Sequence, residues 1–454
     1  MKKLKNIYLF LAIIVLLQSC EKMIEIDMPN DQINTENVFK DHRSATAALN
    51  NLYINLRETS IYGGVSQVMG TSLGLYTDEI EPVFVFPESE NFLLFNNTLD
   101  PTRYILSSMW NSSYTNIYAI NSFIIGVTNS NGISPEDKTL LLAQVYVLRA
   151  MYYQALTQIY GDIPYTITTD YKANTKITKT SSFKVLELIE QDLLKAKESL
   201  TYSNNTVNKY YPNKAVAELI LAKNYLLQKK YEKAEFYAKL VMDNPMYNIE
   251  TDLSKVFKNS AKSTIWQMAN STKTAATYEA RSYIIISNNS GYKLSKSLLN
   301  SFNVHDLRKL HWTNTFLNTN NVYSYKYKNR LSNNLDECSI LFRIEEAYFI
   351  LSEALIYQER EKEAIPYLNT IRQRAGLSPL SNTLNKEQVL LAMLNESQKE
   401  FFLEHGRRFF DLKRNNKLSL LKTTKPNWQD KHALLPYPEK ELLINPNLNP
   451  QNEY

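Results

Sequence analysis

Two segments of the sequence carry the pattern of a helical hairpin, and this pattern restricts the fold more than any other feature. In KAVAELILAKNYLLQKKYEKAEFYAKLVMDNP, residues 214–245, apolar residues recur at helical spacing on both sides of a short turn. The small Ala222 and Ala234 allow the two helices to approach closely, and Pro245 closes the unit. The tetratricopeptide repeat has this organisation, with about 34 residues in each hairpin.

A second, imperfect copy of the hairpin is EEAYFILSEALIYQEREKEAIPYLNTIRQRAGL, residues 345–377, in which Ala354 and Ala364 occupy similar positions. One hairpin cannot bury its own apolar face, so several must stack. A content of only 10 glycines also fits helices better than a hairpin-rich sheet. We therefore predict a mainly α fold built from tetratricopeptide-like helical hairpins. A generic helical bundle is the alternative.

Further helices are predicted elsewhere in the chain from the same periodicity. They cover residues 41–57, a segment that resumes at Met109, a long helix between the capping pair Ser134-Pro135 and Gly161, and residues 182–200. Between Tyr62 and Tyr104 the pattern breaks up into loop-like sequence.

The helical periodicity also fades between residues 248 and 335. Short β-like runs appear there, TIWQMA, YIIIS and VYSYKYK, separated by Asn, Ser and Thr. We predict a loop-rich, mixed subdomain at 248–335, carried on a helical scaffold formed by residues 41–247 and 336–454.

The N-terminus has the organisation of a lipoprotein export signal. Lys2, Lys3 and Lys5 precede an apolar run over residues 7–17, which is too short to span a bilayer of roughly 30 Å. The following Leu17-Gln18-Ser19-Cys20 is typical of a lipobox. We predict a signal peptide at 1–19, lipidation of Cys20 and a tether over 20–40. The alternative is a plain secretory signal with an incidental cysteine.

Removal of this signal changes the charge of the chain. Residues 1–19 contain three lysines and no acids, so the formal net charge falls from +5 to +2. A near-neutral chain lacks the strong electrostatic attraction that nucleic-acid binding requires, which argues against that class of function. The other cysteine, Cys338, has no partner once Cys20 is lipidated, and we expect it in the core.

Several motifs, in order along the chain, together resemble the SusD/RagB family of outer-membrane nutrient-uptake lipoproteins. They are Val145–Pro164 with its Gly-Asp-x-Pro turn, Lys214–Tyr247, Phe302–Arg308 with Asp-x-Arg, Arg343–Tyr348, Ile371–Leu377, Glu400–Arg414 and the C-terminal LLPYPEKELLINPNLNPQNEY. The sequence departs from the family pattern at Ser397, where an arginine is usual, and at Tyr437, where isoleucine is common. Neither departure touches the functional inference.

The resemblance implies a fold, a location and a function. Family members are lipid-anchored at the outer membrane, face the cell exterior and act as lids over a SusC-like, TonB-dependent β-barrel transporter. They capture a glycan, or in some branches a peptide, without catalysis, and the barrel imports it. The tetratricopeptide face packs on the transporter, and the irregular loops hold the ligand. No cofactor is implied.

Two loop-like stretches have the side chains that sugar recognition requires. Aromatic faces stack on the C–H faces of a sugar ring, while amide and guanidinium groups bind its hydroxyls. The stretches are Phe84–Tyr104 and Tyr278–Trp312, and their candidate ligand-binding residues are Phe92, Phe95, Asn96, Asn97, Arg103, Tyr278, Arg281, Tyr283 and Trp312. Alternatively, these aromatic residues fill small satellite cores.

The adjacent carboxylates Asp78 and Glu79 have no settled role at this level. Either the pair is structural or it lines a ligand cleft. In a third hypothesis, which assigns an enzymatic function, the pair serves a surface hydrolase, because glycoside hydrolysis uses two carboxylates.

The charged residues between 400 and 411 recur at helical spacing with opposite signs, so pairs such as Glu404–Arg408 are expected to be structural. The scattered His305 and His311 lack any accompanying metal motif, and no metal site is predicted.

Overall fold

The computed structural model describes residues 38–64, 68–203 and 208–454. The predicted signal peptide, Cys20 and most of the tether lie outside the described residues. The helices are α1 His42–Glu58, α2 Met69–Tyr76, α3 Glu90–Asn96, α4 Tyr104–Asn129, α5 Pro135–Tyr160, α6 Tyr171–Asn174, α7 Ser182–Ser199, α8 Lys214–Leu227, α9 Tyr231–Met242, α10 Tyr278–Tyr283, α11 Lys296–Ser301, α12 Leu307–Trp312, α13 Glu345–Tyr357, α14 Glu361–Arg374, α15 Lys386–Phe401, α16 Arg407–Arg414 and α17 Glu439–Ile444. Three 3₁₀ turns lie near the C-terminus, at Leu418–Thr423, Asp430–Ala433 and Pro446–Leu448.

The β structure consists of short antiparallel pairs. The strands are β1 Ile80–Pro82, β2 Ile163–Pro164, β3 Lys179–Thr180, β4 Thr264–Gln267, β5 Tyr292–Leu294, β6 Thr313–Thr315, β7 Val322–Ser324 and β8 Ile340–Arg343. They pair as β1–β5, β2–β3, β4–β8 and β6–β7.

Both predicted helical hairpins are present. α8 packs against α9 and α13 packs against α14, while α9 also packs against α13, so the two hairpins stack. Ala222, Ala234, Ala354 and Ala364 are all fully buried at these contacts. The mainly α prediction is confirmed, and the stacking is consistent with a tetratricopeptide-like scaffold.

The long helix α5 begins and ends as its sequence predicts. The Ser134 side chain accepts a hydrogen bond from the Asp137 amide, Pro135 occupies the first turn, and Gly161 with φ 80° ends the helix. α7 likewise ends within one residue of its predicted boundary at Leu200.

Between residues 62 and 104 the structure differs from the loop-like prediction, because α2 and α3 lie there and α4 begins at Tyr104 rather than Met109. α2 is buried on every side, so its sequence MGTSLGLY shows no polar face and no helical periodicity. A Cβ at Gly70 would lie 2.6 Å from the carbonyl oxygen of Leu403, so only glycine permits this close approach.

Within residues 248–335 the secondary structure is sparse, as expected, but one predicted strand is wrong. YIIIS does not form a strand: α10 ends at Tyr283, and residues 284–287 follow without regular structure. Among the described residues, no strand pairs with this run, so its β-branched residues do not form a sheet. Ile285 is buried and Ile286 is exposed. The boundaries of the subdomain stay a prediction, and β1–β5 and β4–β8 connect it to the scaffold.

Several of the sequence motifs meet in one buried ionic cluster. The Arg343 guanidinium lies 2.6 Å from Glu400 and 2.9 Å from Glu404. Arg308 lies 2.7 Å from Asp306 and 3.3 Å from Glu400. A buried charge is tolerated only when it is paired and hydrogen-bonded, so these motifs fix the packing of α12, β8 and α15.

The expected Glu404–Arg408 helical pair is wrong. α15 ends at Phe401 and α16 begins at Arg407, so Glu404 and Arg408 do not lie on one helix. Glu404 pairs with Arg343 instead, and Arg408 pairs with Asp78.

Cys338 is a buried free thiol, as predicted. Among the residues that the structure describes, no helix combines the length and the apolar character needed to cross a membrane.

Candidate functional site

The pairing of β1 with β5 brings together one part of each loop stretch singled out in the sequence. Ile80 lies opposite Leu294 and Pro82 opposite Tyr292, so the loop after β1 runs beside the loop before β5. The Val83 amide donates to the Gly291 carbonyl at 3.0 Å, which extends this pairing by one residue. Between the two loops and α10 lies an open cleft of about 450 Å³, a volume within the range of ligand sites.

One wall of the cleft is the loop from Val83 to Ser89. Phe84 and Phe86 line it with exposed rings, at 56% and 64% of their accessible area. The Ser89 hydroxyl then caps α3 by accepting from the Phe92 amide at 3.3 Å. The loop is therefore held at both ends, while its aromatic side chains face solvent.

The opposite wall is α10 and the segment that follows it. The Tyr278 hydroxyl lies 3.0 Å from the Thr71 hydroxyl, so the ring is fixed against the buried helix α2. Tyr292 lies beside Tyr278. Burial raises the pKa of the Tyr292 phenol to about 12, and a hydrogen bond with the Asn91 side chain offsets only part of this increase. Both phenols are therefore neutral hydrogen-bonding groups at physiological pH.

The polar groups of the cleft are amides, hydroxyls and two arginines. Asn91, Asn289, Ser282 and Ser290 supply the neutral groups. Arg281 and Arg330 supply the charge. Apolar rings next to hydrogen-bonding groups are the combination by which proteins bind sugars.

Of the nine predicted ligand residues, the cleft brings together Tyr278 and Arg281. Tyr283 and Trp312 lie in the interior, 3% and 1% exposed, and the Trp312 indole donates to the Leu253 carbonyl at 2.8 Å. Tyr283 hydrogen-bonds to Thr71 at 3.0 Å. Neither ring is available to a ligand in this structure.

The other five predicted residues belong to α3 and its surroundings. Asn97 is 3% exposed and ends α3 in the left-handed conformation, and its amide donates to the Tyr76 carbonyl at 2.9 Å. Arg103 pairs with Asp100 at 2.6 Å. Phe92, Phe95 and Asn96 are partly buried on α3. None of the five lines the cleft, and ligand contact at these positions stays a prediction.

Sequence reasoning missed several lining residues. They are Phe84, Phe86, Asn91, Asn289, Tyr292 and Arg330. Phe84 and Phe86 carried a usable signal, because they alternate in VFVFPES directly before a proline and polar residues, which is typical of a loop with exposed rings. Arg330 carried none, since the cleft receives it from a separate loop after β7.

Asp78 and Glu79 lie outside the cleft. Asp78 accepts two hydrogen bonds from Arg408, at 2.9 and 3.1 Å. Glu79 is 1% exposed, and burial together with the charge of Asp78 raises the pKa of its carboxyl to about 8. Asp78 is enclosed by Arg408 of α16, and the buried Glu79 carboxyl accepts from the Leu403 amide at 3.4 Å, which supports their structural interpretation.

Metal binding finds no support in the described ranges, where no group of three or more His, Cys, Asp or Glu side chains is arranged to hold an ion. His305 lies exposed before α12 and His311 lies near its end.

Comparison with known proteins supplies a family. A family model described as SusD family matches residues 150–454, and one described as starch-binding associating with outer membrane matches residues 26–226. SusD-like protein P2 of Formosa agariphila is 24% identical over 518 aligned positions, covering 100% of this chain and 99% of the relative.

Solved structures share the fold. A SusD superfamily protein from Bacteroides vulgatus has a TM-score of 0.80 at 20% identity, covering 91% of this chain and 99% of the other. Surface glycan-binding protein A from Bacteroides thetaiotaomicron, in complex with laminarihexaose, has a TM-score of 0.77 at 18% identity, covering 91% and 99%.

Proposed function

This chain belongs to the SusD family, and on that premise we propose that it is a cell-surface glycan-binding lipoprotein. It captures an oligosaccharide in the cleft between the loop after β1 and α10. It then delivers the oligosaccharide to a SusC-like, TonB-dependent transporter in the outer membrane. Lipid on Cys20 holds it at the exterior face of that membrane.

The observation that carries this proposal is the composition of the cleft. Two exposed phenylalanine rings and a fixed tyrosine lie beside amide and hydroxyl groups. Covering an exposed apolar ring with a ligand removes apolar surface from water, which favours binding, and sugar rings present matching C–H faces. The laminarihexaose complex of a structural neighbour supports the same ligand class.

Binding and non-catalysis are tested together by titration calorimetry of the purified protein against oligosaccharides. We expect binding without change in the oligosaccharide over hours. Turnover that disappears in a folded Asp78→Asn variant would support the hydrolase hypothesis instead. The burial of Asp78 by Arg408 argues against that outcome.

The transporter partnership is tested by isolation from the native membrane. We expect a TonB-dependent barrel to co-purify with the wild type in mild detergent. A Cys20→Ser variant is expected to leave the membrane fraction, because its acyl anchor is absent. Failure of the wild type to co-purify with any such barrel contradicts the delivery step.

Peptide capture is the second candidate function, since some branches of the family are expected to bind peptides. The same cleft offers aromatic rings and amides to a peptide backbone. Parallel titration against a peptide library separates the two, and tighter binding of peptides than of any oligosaccharide would replace the glycan proposal.

A further inference from the structure

The cleft carries positive charge that the protein does not neutralise. Arg281, in the last turn of α10, is exposed, and Arg330 is partly buried in the loop after β7. In the described part of the chain, neither guanidinium has a carboxylate within ion-pair distance. The Nε–H of Arg330 is also enclosed without a hydrogen-bond acceptor.

Among the residues that the structure describes, no aspartate or glutamate lines the cleft. The acids closest along the chain are already engaged. Glu81 pairs with Lys293 at 3.5 Å, and Glu88 pairs with Arg103 at 3.1 Å.

Two further acids near the walls are also occupied. Glu90 accepts a hydrogen bond from the Ile105 amide at 3.2 Å. Glu279, the neighbour of Tyr278 on α10, is turned inward and accepts from the Ser339 hydroxyl at 2.6 Å. Neither carboxylate lines the cleft to offset its charge.

A guanidinium recognises a carboxylate or sulfate oxygen pair through two parallel hydrogen bonds, and a buried N–H without an acceptor is costly. A neutral sugar would leave both positive charges uncompensated, whereas an acidic sugar supplies the missing acceptors. The arginines and the rings lie in one cleft, so stacking and charge recognition act on the same ligand.

We infer that the cleft selects anionic oligosaccharides, and that Arg281 and Arg330 bind the acidic substituent while Phe84, Phe86 and Tyr278 contact the sugar rings. The substituent is a carboxylate of a uronic acid or a sulfate ester, which offer the same oxygen geometry. This inference rests on the proposed glycan-binding function and narrows its ligand class.

The test is a panel of equal-length neutral, uronate-containing and sulfated oligosaccharides, followed by calorimetry on the strongest ligand of each class. Laminarihexaose serves as one neutral probe. We expect the strongest anionic ligand to bind at least tenfold more tightly than the strongest neutral one. This advantage should shrink as salt rises, because exposed charges are screened.

The panel also distinguishes a uronate carboxylate from a sulfate ester, and it tests glycan capture separately from selectivity for anionic glycans. Preference for the uronate class or for the sulfated class identifies the substituent. Tightest binding by a neutral ligand overturns the inference but leaves glycan capture intact. Absence of binding by every saccharide, with a folded protein, overturns both.

Charge-removing variants locate the recognition. Arg281→Gln and Arg330→Gln keep amide donors but lose the charge, so each is expected to weaken anionic binding about tenfold and neutral binding less than twofold. Arg281→Lys keeps the charge but loses the paired donors, so its affinity for anionic ligands should lie between those of the wild type and Arg281→Gln. Arg43→Gln, at an exposed arginine of α1 outside the cleft, is the matched control.

Arg281 is exposed, so its variants are expected to fold normally even if Arg330→Gln does not. Unchanged anionic binding in a folded Arg281→Gln variant contradicts the assignment. A loss of the same size in Arg43→Gln also contradicts it, because the effect would then reflect overall charge.

Discussion

Asp78 and Arg408, separated by 330 positions in the chain, form a two-point ion pair with distances of 2.9 and 3.1 Å. Asp78 lies between the end of α2 and the start of β1, whose partner β5 follows the loop that lines the cleft. Arg408 lies in the first turn of α16. The pair therefore connects the segment between α2 and β1 to the C-terminal part of the scaffold.

Asp78→Asn should destabilise the fold, because it leaves the buried Arg408 guanidinium without a counter-charge. Loss of one partner of a buried pair costs about 3–5 kcal/mol. Urea unfolding at pH 7 measures the loss. Asp137→Asn, which removes a partly exposed acid near His42, is the control and should change the free energy of unfolding by less than about 1 kcal/mol.

The same pair predicts a pH dependence of stability. Burial alone would raise the pKa of Asp78, but the Arg408 guanidinium lowers it below its ordinary value. The folded state then binds this proton less readily than the unfolded state. Stability from the pair is present above pH 4 or so and is lost as the pH falls through the lowered pKa. The difference between wild type and Asp78→Asn should narrow below about pH 4, and a constant difference contradicts this account.

Glu79 is expected to affect the pH dependence of stability in the opposite direction to Asp78, and Glu79→Gln tests this. Burial raises the pKa of the Glu79 carboxyl to about 8, so the folded protein retains a proton that the unfolded chain releases near pH 4.5. The wild type should lose stability as pH rises from about 5 to 8. The variant avoids this loss, and its advantage in thermal unfolding should be on the order of 2–4 kcal/mol at pH 9 and near zero at pH 5. Equal differences at both pH values would exclude a titrating Glu79.

Arg308→Met should unfold the protein more readily than any surface ion-pair variant. Arg308 is fully buried and contacts Asp306, Glu396 and Glu400, so its removal leaves three acids without a shared cation. We expect a loss of at least about 3 kcal/mol in denaturant unfolding. Lys184→Met, at an exposed pair with Glu187, should cost less than about 1 kcal/mol. A small loss at Arg308 would mean that the remaining cations of the cluster compensate for it.

Phe86→Ala should weaken ligand binding without affecting stability. The ring is 64% exposed in the cleft wall, so its removal leaves no cavity. One aromatic contact contributes on the order of 1 kcal/mol, and we expect the Kd to rise five- to tenfold in calorimetry. Phe236→Ala, at a ring of α9 that is 56% exposed outside the cleft, is the matched control and should leave the Kd unchanged. Equal binding by Phe86→Ala and wild type would place the ligand elsewhere.

The hairpins were predictable from sequence because their burial is periodic. Ala222 and Tyr225 recur at helical spacing on the first helix, as Ala234 and Ala238 do on the second, and the structure buries all four. α2 was not predictable in this way, since burial on all sides removes the polar face that periodicity detects. The break between α15 and α16 was missed because charged residues recur across it at the spacing of one helix, although Glu404 lies in neither helix.

The cleft was predictable only in part. Tyr278 and Arg281 were identified from their residue types, whereas Phe84 and Phe86 were not selected as candidates. Trp312 was selected on the same ground, as an aromatic residue in a loop-like stretch, but it is enclosed by the core, where its indole donates to the Leu253 carbonyl. Local composition does not distinguish an exposed ring from a buried one. The approach of Arg330 depends on long-range packing, which a single sequence does not reveal.

The loop from Val83 to Ser89 is anchored at each end by backbone and capping hydrogen bonds, while its rings contribute little to the core. Its interior side chains can therefore be exchanged without loss of the architecture beneath. Under the proposed function, a few substitutions at exposed loop positions would change the polysaccharide that is bound, while the ionic cluster and the stacked hairpins are conserved. Recognition and architecture can evolve at different rates in such a molecule.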